Sequence, residues 1–497
     1  MLFRFLALQI IFNVTNITTF AAVINLLIYL SKLHYMFVLM VVVFVLGYIA
    51  IALEHPLKID KAASALLIGT ITWALYVFGG VDILSSGVST AWNEFALANP
   101  DKDTVDGMMK FIVHNEVLHH LSEIAAILFF LLGAMTIVEI VDQHQGFKII
   151  TDKIKTTNKV KLLWILSLLT FFMSATLDNL TTTIVLVALI RKLIDDQKDR
   201  WFFASMVVLA ANAGGAWSPI GDVTTIMLWI GGQVTTLNII GHVIMPSLVT
   251  MLTPLVVVSF WLKGDITRPQ INDDHRKEYT THKEQLFILC LGVAALLFVP
   301  VFKTVTHLPP YLGMLFGLGV MWVVTEIMHR NKGKEYKSRL NVTGVLKKVD
   351  VPTVLFFLGI LSAVASMQSA GHLDILANWL DVNIHNVYGI NLIIGVLSAI
   401  VDNVPLVAAA MGMYDIADPE TVGYVADFMQ DGIFWKLLAY CAGTGGSILI
   451  IGSAAGVAAM GMEKIDFIWY LKKISLLALI GYLAGAAAFY LQVTYIL

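Results

Sequence analysis

Two Asp-Asn pairs lie inside long apolar stretches of this sequence. Asp178 and Asn179 occur in "FFMSATLDNLTTTIVLVALI", residues 171–190, and Asp402 and Asn403 occur in "GVLSAIVDNVPLVAAAMGMY", residues 395–414. Carboxylate, amide and hydroxyl oxygens are the ligands that a hard monovalent cation prefers, and a carboxylate can hold a proton instead. Because an ionisable side chain within a membrane span costs a few kcal/mol, it indicates function by default. The two pairs therefore predict a place where a cation or a proton is bound.

The composition indicates whether water or lipid surrounds the segments that contain these pairs. Of the 497 residues, 58% are hydrophobic and only 13% are charged, which predicts an all-α polytopic membrane protein surrounded by lipid. The net charge of −3 gives no indication of a nucleic-acid partner. Cys290 and Cys441 both lie in apolar segments, so they predict neither a disulfide framework nor a metal site.

Apolar runs of about the length that a spanning helix needs recur along the chain. They cover residues 3–30, 35–53, 62–79, 118–141, 244–262, 286–303, 311–328, 351–370 and 474–497. The first of them predicts an N-terminal transmembrane helix within residues 1–34, with a signal anchor or a cleaved signal peptide as the alternatives. The lysine-rich segments 148–161 and 329–348 are expected in the cytoplasm, and the acidic segment 80–115 is expected outside.

The segments around the Asp-Asn pairs are too short for ordinary crossings. Only 11 residues separate Asn179 from Arg191, about 16 Å of helix against a hydrocarbon core of about 30 Å. Basic residues flank residues 160–194 at both ends, so a hairpin that enters and leaves on the cytoplasmic side is predicted there. No Lys or Arg occurs from residue 349 to 435, so a second hairpin, residues 388–415, is expected to enter from outside.

The two halves of the chain share a pattern that predicts an inverted-topology repeat. Ser-Ala-x-x-Asp-Asn begins at Ser174 and again at Ser398. Each hairpin is followed by an apolar segment interrupted by Gly and Ser, residues 201–233 and 434–462, which indicates a discontinuous helix. The first repeat is predicted over residues 35–262 and the second over residues 286–497, joined by a cytoplasmic linker, residues 263–285.

The Ser-Ala-x-x-Asp-Asn pairs, "GGAWSPIGDVTT" and "GTGGSILIIGSAAG" together resemble the NhaD-type sodium/proton antiporters of the ion transporter superfamily. The resemblance covers nearly all of the chain after the first helix. It implies a scaffold of ordinary helices, a transport domain that holds both hairpins, and often a homodimer. It also implies exchange of Na⁺ or Li⁺ for H⁺ across a bacterial inner membrane, or an organelle membrane of bacterial descent, without a resident cofactor.

The sequence then predicts which residues carry the exchange. The ion-binding and proton-coupling residues are expected to be Asp178, Asn179, Thr182, Asp222, Asp402 and Asn403. Sodium is assigned to Asp178, Asn179, Asp402 and Asn403, with Asp178 and Asp402 as the competing carboxylates and Asp222 second to them. Supporting positions are Ser174, Ser398, Thr224, Thr225, Ser447 and Ser453, although the serines could be helix caps and the threonines structural.

Several alternatives stay open at this stage. Asp-Asn is a common turn pair, so Asp178 could be solvated in an ordinary loop. Two embedded aspartates could form the dyad of an intramembrane protease. An anion or metalloid carrier for arsenite or a dicarboxylate could share the architecture, although no Lys or Arg is adjacent to either tip in the sequence. A cluster at the outer end of one helix could sense pH or be solvated: His114, Glu116, His119, His120 and Glu123.

Overall fold

A computed structural model describes residues 35–151, 153–269, 280–331, 333 and 340–495 of the chain. The N-terminal helix expected within residues 1–34 lies outside the described residues, and so does much of the expected linker. In the described ranges the chain is helical and contains no β-sheet. Two isolated bridges occur there, between Asn158 and Asp265 and between Ala417 and Met429.

The main helices are labelled in chain order. They are α1 (Tyr35–Ala52), α2 (Lys61–Ser85), α3 (Leu118–Gln143), α4 (Lys159–Leu177), α5 (Asn179–Leu193), α6 (Gln197–Ala216), α7 (Val223–Ile230), α8 (Thr236–Ser259), α9 (His282–Thr306), α10 (Pro310–His329), α11 (Val351–Ser369), α12 (His372–Asn383), α13 (Val387–Leu397), α14 (Asn403–Met413), α15 (Ile433–Gly445), α16 (Ala454–Glu463) and α17 (Ser475–Tyr495). Shorter helical segments lie between them: Glu54–Leu57, Thr90–Ala98, Pro100–Lys102, Val105–Lys110, Phe111–Val117, Lys148–Thr151, Val342–Leu346, Gly423–Phe428 and Phe467–Lys473.

Eight helices in the described ranges are long and apolar enough to cross a membrane. They are α2, the continuous helix Val105–Gln143 that contains α3, and α4, α8, α9, α10, α11 and α17. The expectation of an all-α polytopic membrane protein is confirmed. Many large apolar side chains, such as Phe78 and Phe316, are exposed on the outside of the helices, as lipid contact requires and water would oppose.

The helices pack in two groups that contact each other. In the first group α2 packs between α1 and α11, while α3 packs against α9, α10 and α11. The second group contains α4, α5, α6, α15 and α16 packed on one another, with α8 and α17 along its side. Helices α7, α13 and α14 pack against α15 and are counted with the second group, and α14 also contacts α11 of the first group.

Glycines allow the closest approach within the first group. A Cβ atom at Gly359 of α11 would lie 2.4 Å from the backbone nitrogen of Leu66, and one at Gly69 of α2 would lie 2.6 Å from the carbonyl oxygen of Gly359. Small residues let membrane helices pack backbone to backbone, where dispersion attraction and weak polar contacts replace the hydrophobic effect. The contact between α2 and α11 therefore depends on these two residues.

Gly359→Ala is expected to destabilise the protein by about 1–3 kcal/mol, because the added methyl group has no space between the two backbones. The measurement is the thermal unfolding midpoint of the purified protein in detergent. Gly319→Ala in α10 is the matched control, since nothing lies within 4 Å of a Cβ atom there. Equal midpoints for the two variants would contradict this account of the contact.

Candidate functional site

Asp178 forms the turn between α4 and α5. Its φ is 75°, a region that non-glycine residues rarely adopt and that often marks a functional position. One carboxylate oxygen accepts a hydrogen bond from the Thr181 backbone nitrogen at 2.7 Å, and the other accepts one from the Thr181 hydroxyl at 2.8 Å. Asp178 is therefore the N-cap of α5.

Three other helix starts in the second group are capped in the same manner. Asp402 caps α14 and accepts from the Val404 nitrogen. Asp222 caps α7 after the break that follows α6, and accepts from the Thr224 nitrogen at 3.1 Å. Ser453 caps α16 after the break that follows α15, and accepts from the Gly456 nitrogen. At each of the two breaks, after α6 and after α15, a helix C-terminus is thus followed by a capped helix N-terminus.

The two serines that begin the repeated motif make equivalent contacts. The Ser174 hydroxyl donates to the carbonyl oxygen of Ala211 in α6 at 2.6 Å, and the Ser398 hydroxyl donates to that of Ala442 in α15 at 2.8 Å. Neither side chain caps the helix that follows its own turn. Instead, Ser174 links the last part of α4 to α6, and Ser398 links the turn after α13 to α15.

Glycines accompany both of these serine contacts. A Cβ atom at Gly221 would lie 3.0 Å from the Ser174 carbonyl oxygen, and one at Gly452 would lie 2.5 Å from that of Ser398. The two breaks therefore approach the two turns at corresponding places in the two halves of the chain.

Asp222 lies where the two Asp-Asn turns meet. Its Oδ2 atom accepts hydrogen bonds from the Asn179 amide at 2.7 Å and from the Asn403 amide at 3.4 Å. The residue is 1% exposed, whereas Asp178 and Asp402 are only partly buried. The sequence analysis placed Asp222 second to Asp178 and Asp402. In the structure, however, Asp222 is the carboxylate that the asparagines of both turns contact.

Asn212 of α6 connects the first turn to the second broken helix, and sequence reasoning missed it. Its side-chain oxygen accepts from Asn179 at 3.0 Å, while its amide nitrogen donates to the hydroxyls of Ser447 and Ser453, each at 2.9 Å. The residue is fully buried. The only indication of this role in the sequence was that Asn212 is a polar residue within the apolar run before the first break.

One predicted threonine has an unpaired hydroxyl. The hydroxyl of Thr182 is buried and makes no hydrogen bond with the described residues, whereas the Thr224 side chain contacts the Asp222 carboxylate. Buried polar atoms are normally paired, so an unpaired hydroxyl such as that of Thr182 points to a ligand or to ordered water. Thr225 differs, because its hydroxyl accepts from the Asp222 backbone nitrogen at 3.3 Å, which completes the capping box of α7, and donates to the Asp222 carbonyl oxygen at 2.8 Å.

A lysine lies beside Asp402, and the sequence did not reveal it. The ammonium of Lys61, the first residue of α2, is 3.4 Å from Asp402 Oδ2. No Lys or Arg is adjacent to either tip in the sequence, but in the folded protein Lys61 is a basic neighbour of Asp402. The two residues are 341 positions apart in the chain, so inspection of the flanking sequence could not find the pair.

The histidine-rich cluster makes its contacts elsewhere. The His120 ring is 3.1 Å from the Ser369 hydroxyl at the end of α11 and 3.4 Å from the Glu123 carboxylate. These contacts join α3 to α11 and involve no residue of the two turns.

Asn212→Ala is expected to destabilise the protein by about 1–3 kcal/mol, because the amide of Asn179 and two serine hydroxyls lose a buried partner. The thermal unfolding midpoint in detergent is the measurement. Asn383→Ala is the control, since its side chain is exposed at the end of α12 and bonds only to the Trp379 carbonyl oxygen. A midpoint for Asn212→Ala no lower than that of the control would disprove the connecting role.

The chain is similar to known membrane transporters. A family model described as citrate transporter matches residues 26–429. Sodium/proton antiporter 1 of Arabidopsis thaliana is 46% identical over 452 residues, covering 91% of this chain and 72% of the relative. Sodium/proton antiporter 2 of the same plant is 43% identical over 449 residues, covering 90% and 97%. The Na(+)/H(+) antiporter NhaD of Alkalimonas amylolytica is 29% identical over 473 residues, covering 90% and 89%. The chain belongs to the NhaD-type sodium/proton antiporters of the ion transporter superfamily, which are secondary transporters and not enzymes.

Proposed function

We propose that this protein exchanges Na⁺ for H⁺ across its membrane by letting the two ions compete for buried carboxylates at the junction of the two Asp-Asn turns. The observation that carries this proposal is the Asp222 carboxylate, which is held by the tip asparagines of both halves. The names of the relatives, sodium/proton antiporters in a plant and in bacteria, support the same ions.

In this mechanism the central carboxylate holds either a proton or a sodium ion. Bound Na⁺ takes oxygen ligands from Asp222 and from the tips, Asp178 and Asn179 on one side and Asp402 and Asn403 on the other. The tip amides donate to Asp222, so in this mechanism they turn their oxygens inward when the ion enters. Thr182 adds a hydroxyl oxygen that has no other partner among the described residues. Li⁺, which prefers the same ligands, is expected to be accepted as well.

The same proposal includes two re-entrant hairpins and an inverted repeat. Helices α5 and α14 contain 15 and 11 residues, about 22 and 16 Å against a hydrocarbon core of about 30 Å. The recurring contacts of Ser174 and Ser398 support the repeat. The second helix group is then the transport domain and the first group is the scaffold.

The setting of the protein follows from the family. A homodimer in a bacterial inner membrane, or in an organelle membrane of bacterial descent, is the proposed arrangement for this multi-pass protein. The proposed partners are lipid, the transported cations and protons, with no resident cofactor.

An anion or metalloid carrier is the second candidate. The family model is described as citrate transporter, and Lys61 supplies a basic group beside Asp402. Against it stand three carboxylates around one site, since they repel a dicarboxylate or a tricarboxylate at close range. Neutral arsenite would not be repelled in this way.

Asp222→Asn, Asp178→Asn and Asp402→Asn are each expected to abolish the exchange, because an amide can neither ionise nor carry a proton. The measurement uses everted vesicles of an antiporter-deficient bacterium, in which a fluorescent probe follows the proton gradient as NaCl or LiCl is added. Asp106→Asn is the matched control, since its carboxylate is 78% exposed and pairs only with Lys110 at the surface. Expression of every variant is verified by immunoblot.

Exchange at the wild-type rate in the Asp222→Asn variant would disprove the role of Asp222 as the carboxylate that holds either Na⁺ or H⁺. A wild-type protein that is present but responds to neither Na⁺ nor Li⁺ would favour the second candidate. Additions of KCl, citrate and arsenite to the same vesicles distinguish the remaining substrates.

Competition also makes a kinetic prediction. As the pH on the Na⁺-loading side falls, more of the carboxylate is protonated, so the KM for Na⁺ is expected to rise while the maximal rate at saturating Na⁺ stays unchanged. The measurement is the rate of ²²Na⁺ uptake at several pH values, with the opposite side held at constant pH. A maximal rate that falls with pH while KM stays fixed would instead indicate separate proton and sodium sites.

A further inference from the structure

The Lys61 side chain connects the two helix groups. Its ammonium lies 3.4 Å from Asp402 Oδ2, and the two side chains are 19% and 12% exposed. The same ammonium lies 4.4 Å from the centre of the Phe356 ring of α11, which is 1% exposed. Lys61 belongs to α2 of the first helix group, whereas Asp402 belongs to a turn at the candidate ion site.

The other polar groups near Lys61 have different roles. The Glu54 carboxylate accepts the backbone nitrogen of Lys61, and the Asp60 carboxylate accepts that of Ala62 at 2.8 Å as the cap of α2. The Tyr48 hydroxyl of α1 is buried and makes no hydrogen bond with the described residues. Asp402 is thus the acid that pairs with the ammonium in the described chain.

We propose that Lys61 is an internal counter-ion, which occupies the Asp402 carboxylate in the sodium-free protein and is displaced when Na⁺ binds there. This inference rests on the proposed Na⁺/H⁺ exchange, because it gives one of the ion ligands a competing partner. The ammonium keeps its proton in this step and stays over the Phe356 ring, where the π-electrons stabilise a cation. No bond is made or broken other than the ion pair.

The physical basis is competition between two cations for one carboxylate. A carboxylate oxygen bound to an ammonium has part of its charge already neutralised, so it attracts Na⁺ less strongly. The pair is partly buried, so solvent screens it less than it would screen a surface pair. Lys61 therefore lowers the apparent affinity for Na⁺ and also binds the second turn to the first helix group until the ion arrives.

Two substitutions at Lys61 are expected to move the KM for Na⁺ in opposite directions. Lys61→Gln removes the competitor, so KM should fall by about two- to fivefold, the range expected for one partly exposed ion pair. Lys61→Arg supplies a cation that binds a carboxylate through two hydrogen bonds, so KM should rise. The measurement is Na⁺-dependent collapse of the proton gradient in everted vesicles, with KM and the maximal rate determined separately.

Lys58→Gln is the matched control. Lys58 is exposed, follows the short helix before α2, and loses the same charge on substitution, so a general surface-charge effect would appear in both glutamine variants. Size-exclusion chromatography in detergent establishes that each variant is folded. A purely structural role of Lys61 would lower the maximal rate or the yield without moving KM in opposite directions.

The outcomes separate this inference from the proposed function. If Na⁺ does not collapse the proton gradient in vesicles that contain the wild-type protein, the proposed function is wrong and so is the counter-ion role that rests on it. If the wild type exchanges Na⁺ but Lys61→Gln has the KM of Lys58→Gln or a higher one, the counter-ion role alone is overturned. If Lys61→Gln does not fold, Lys61→Arg decides, because an unchanged or lower KM in that variant also overturns the inference.

Discussion

The hydrogen bonds from Asn179 and Asn403 to the Asp222 carboxylate are the constraint on which the centre of this molecule depends. They bring together the two turns and the first helix break, three segments that are far apart along the chain. A carboxylate that is 1% exposed has lost its water and must be compensated by donors or by a cation. The geometry supplies two amide donors and a helix N-terminus, so the buried carboxylate is tolerated.

The breaks in the helices leave backbone groups without helical partners, and capping side chains bind many of these groups. Each interruption at membrane depth frees backbone nitrogens and carbonyl oxygens that lipid cannot satisfy. Asp178, Asp222, Asp402 and Ser453 accept from the freed nitrogens, and the hydroxyls of Ser174 and Ser398 donate to carbonyl oxygens. The residues that stabilise the breaks are therefore largely the same residues that we propose as ion ligands.

Lysines of the first helix group reach the second group at two places. Lys61 approaches Asp402, and Lys303 of α9 donates to the carbonyl oxygen of Trp229 at 2.6 Å while its ammonium lies over the Trp229 ring. A cation near a helix C-terminus is favoured by the helix dipole, and Trp229 is one residue before the end of α7. A movement of one group against the other would change both contacts, since each crosses the boundary between the groups.

The sequence by itself determined the lipid environment, most of the spanning helices and the two Asp-Asn turns. These features depend on composition and on short-range patterns: an apolar run of sufficient length, a capping residue, or a motif that recurs in both halves. It also marked Asp222, but ranked it behind Asp178 and Asp402, the two carboxylates of the repeated Asp-Asn motif.

Only the tertiary structure decided which carboxylate is central and which neighbours it has. Asn212 bonds to Ser447 and Ser453, more than 200 residues away, and Lys61 reaches Asp402 over 341 positions. Such contacts arise from how helices of different halves pack, and no local pattern records that packing. For this reason the candidate ligand types could be identified in the sequence, whereas the hydrogen-bond network and the charge beside the second turn could not.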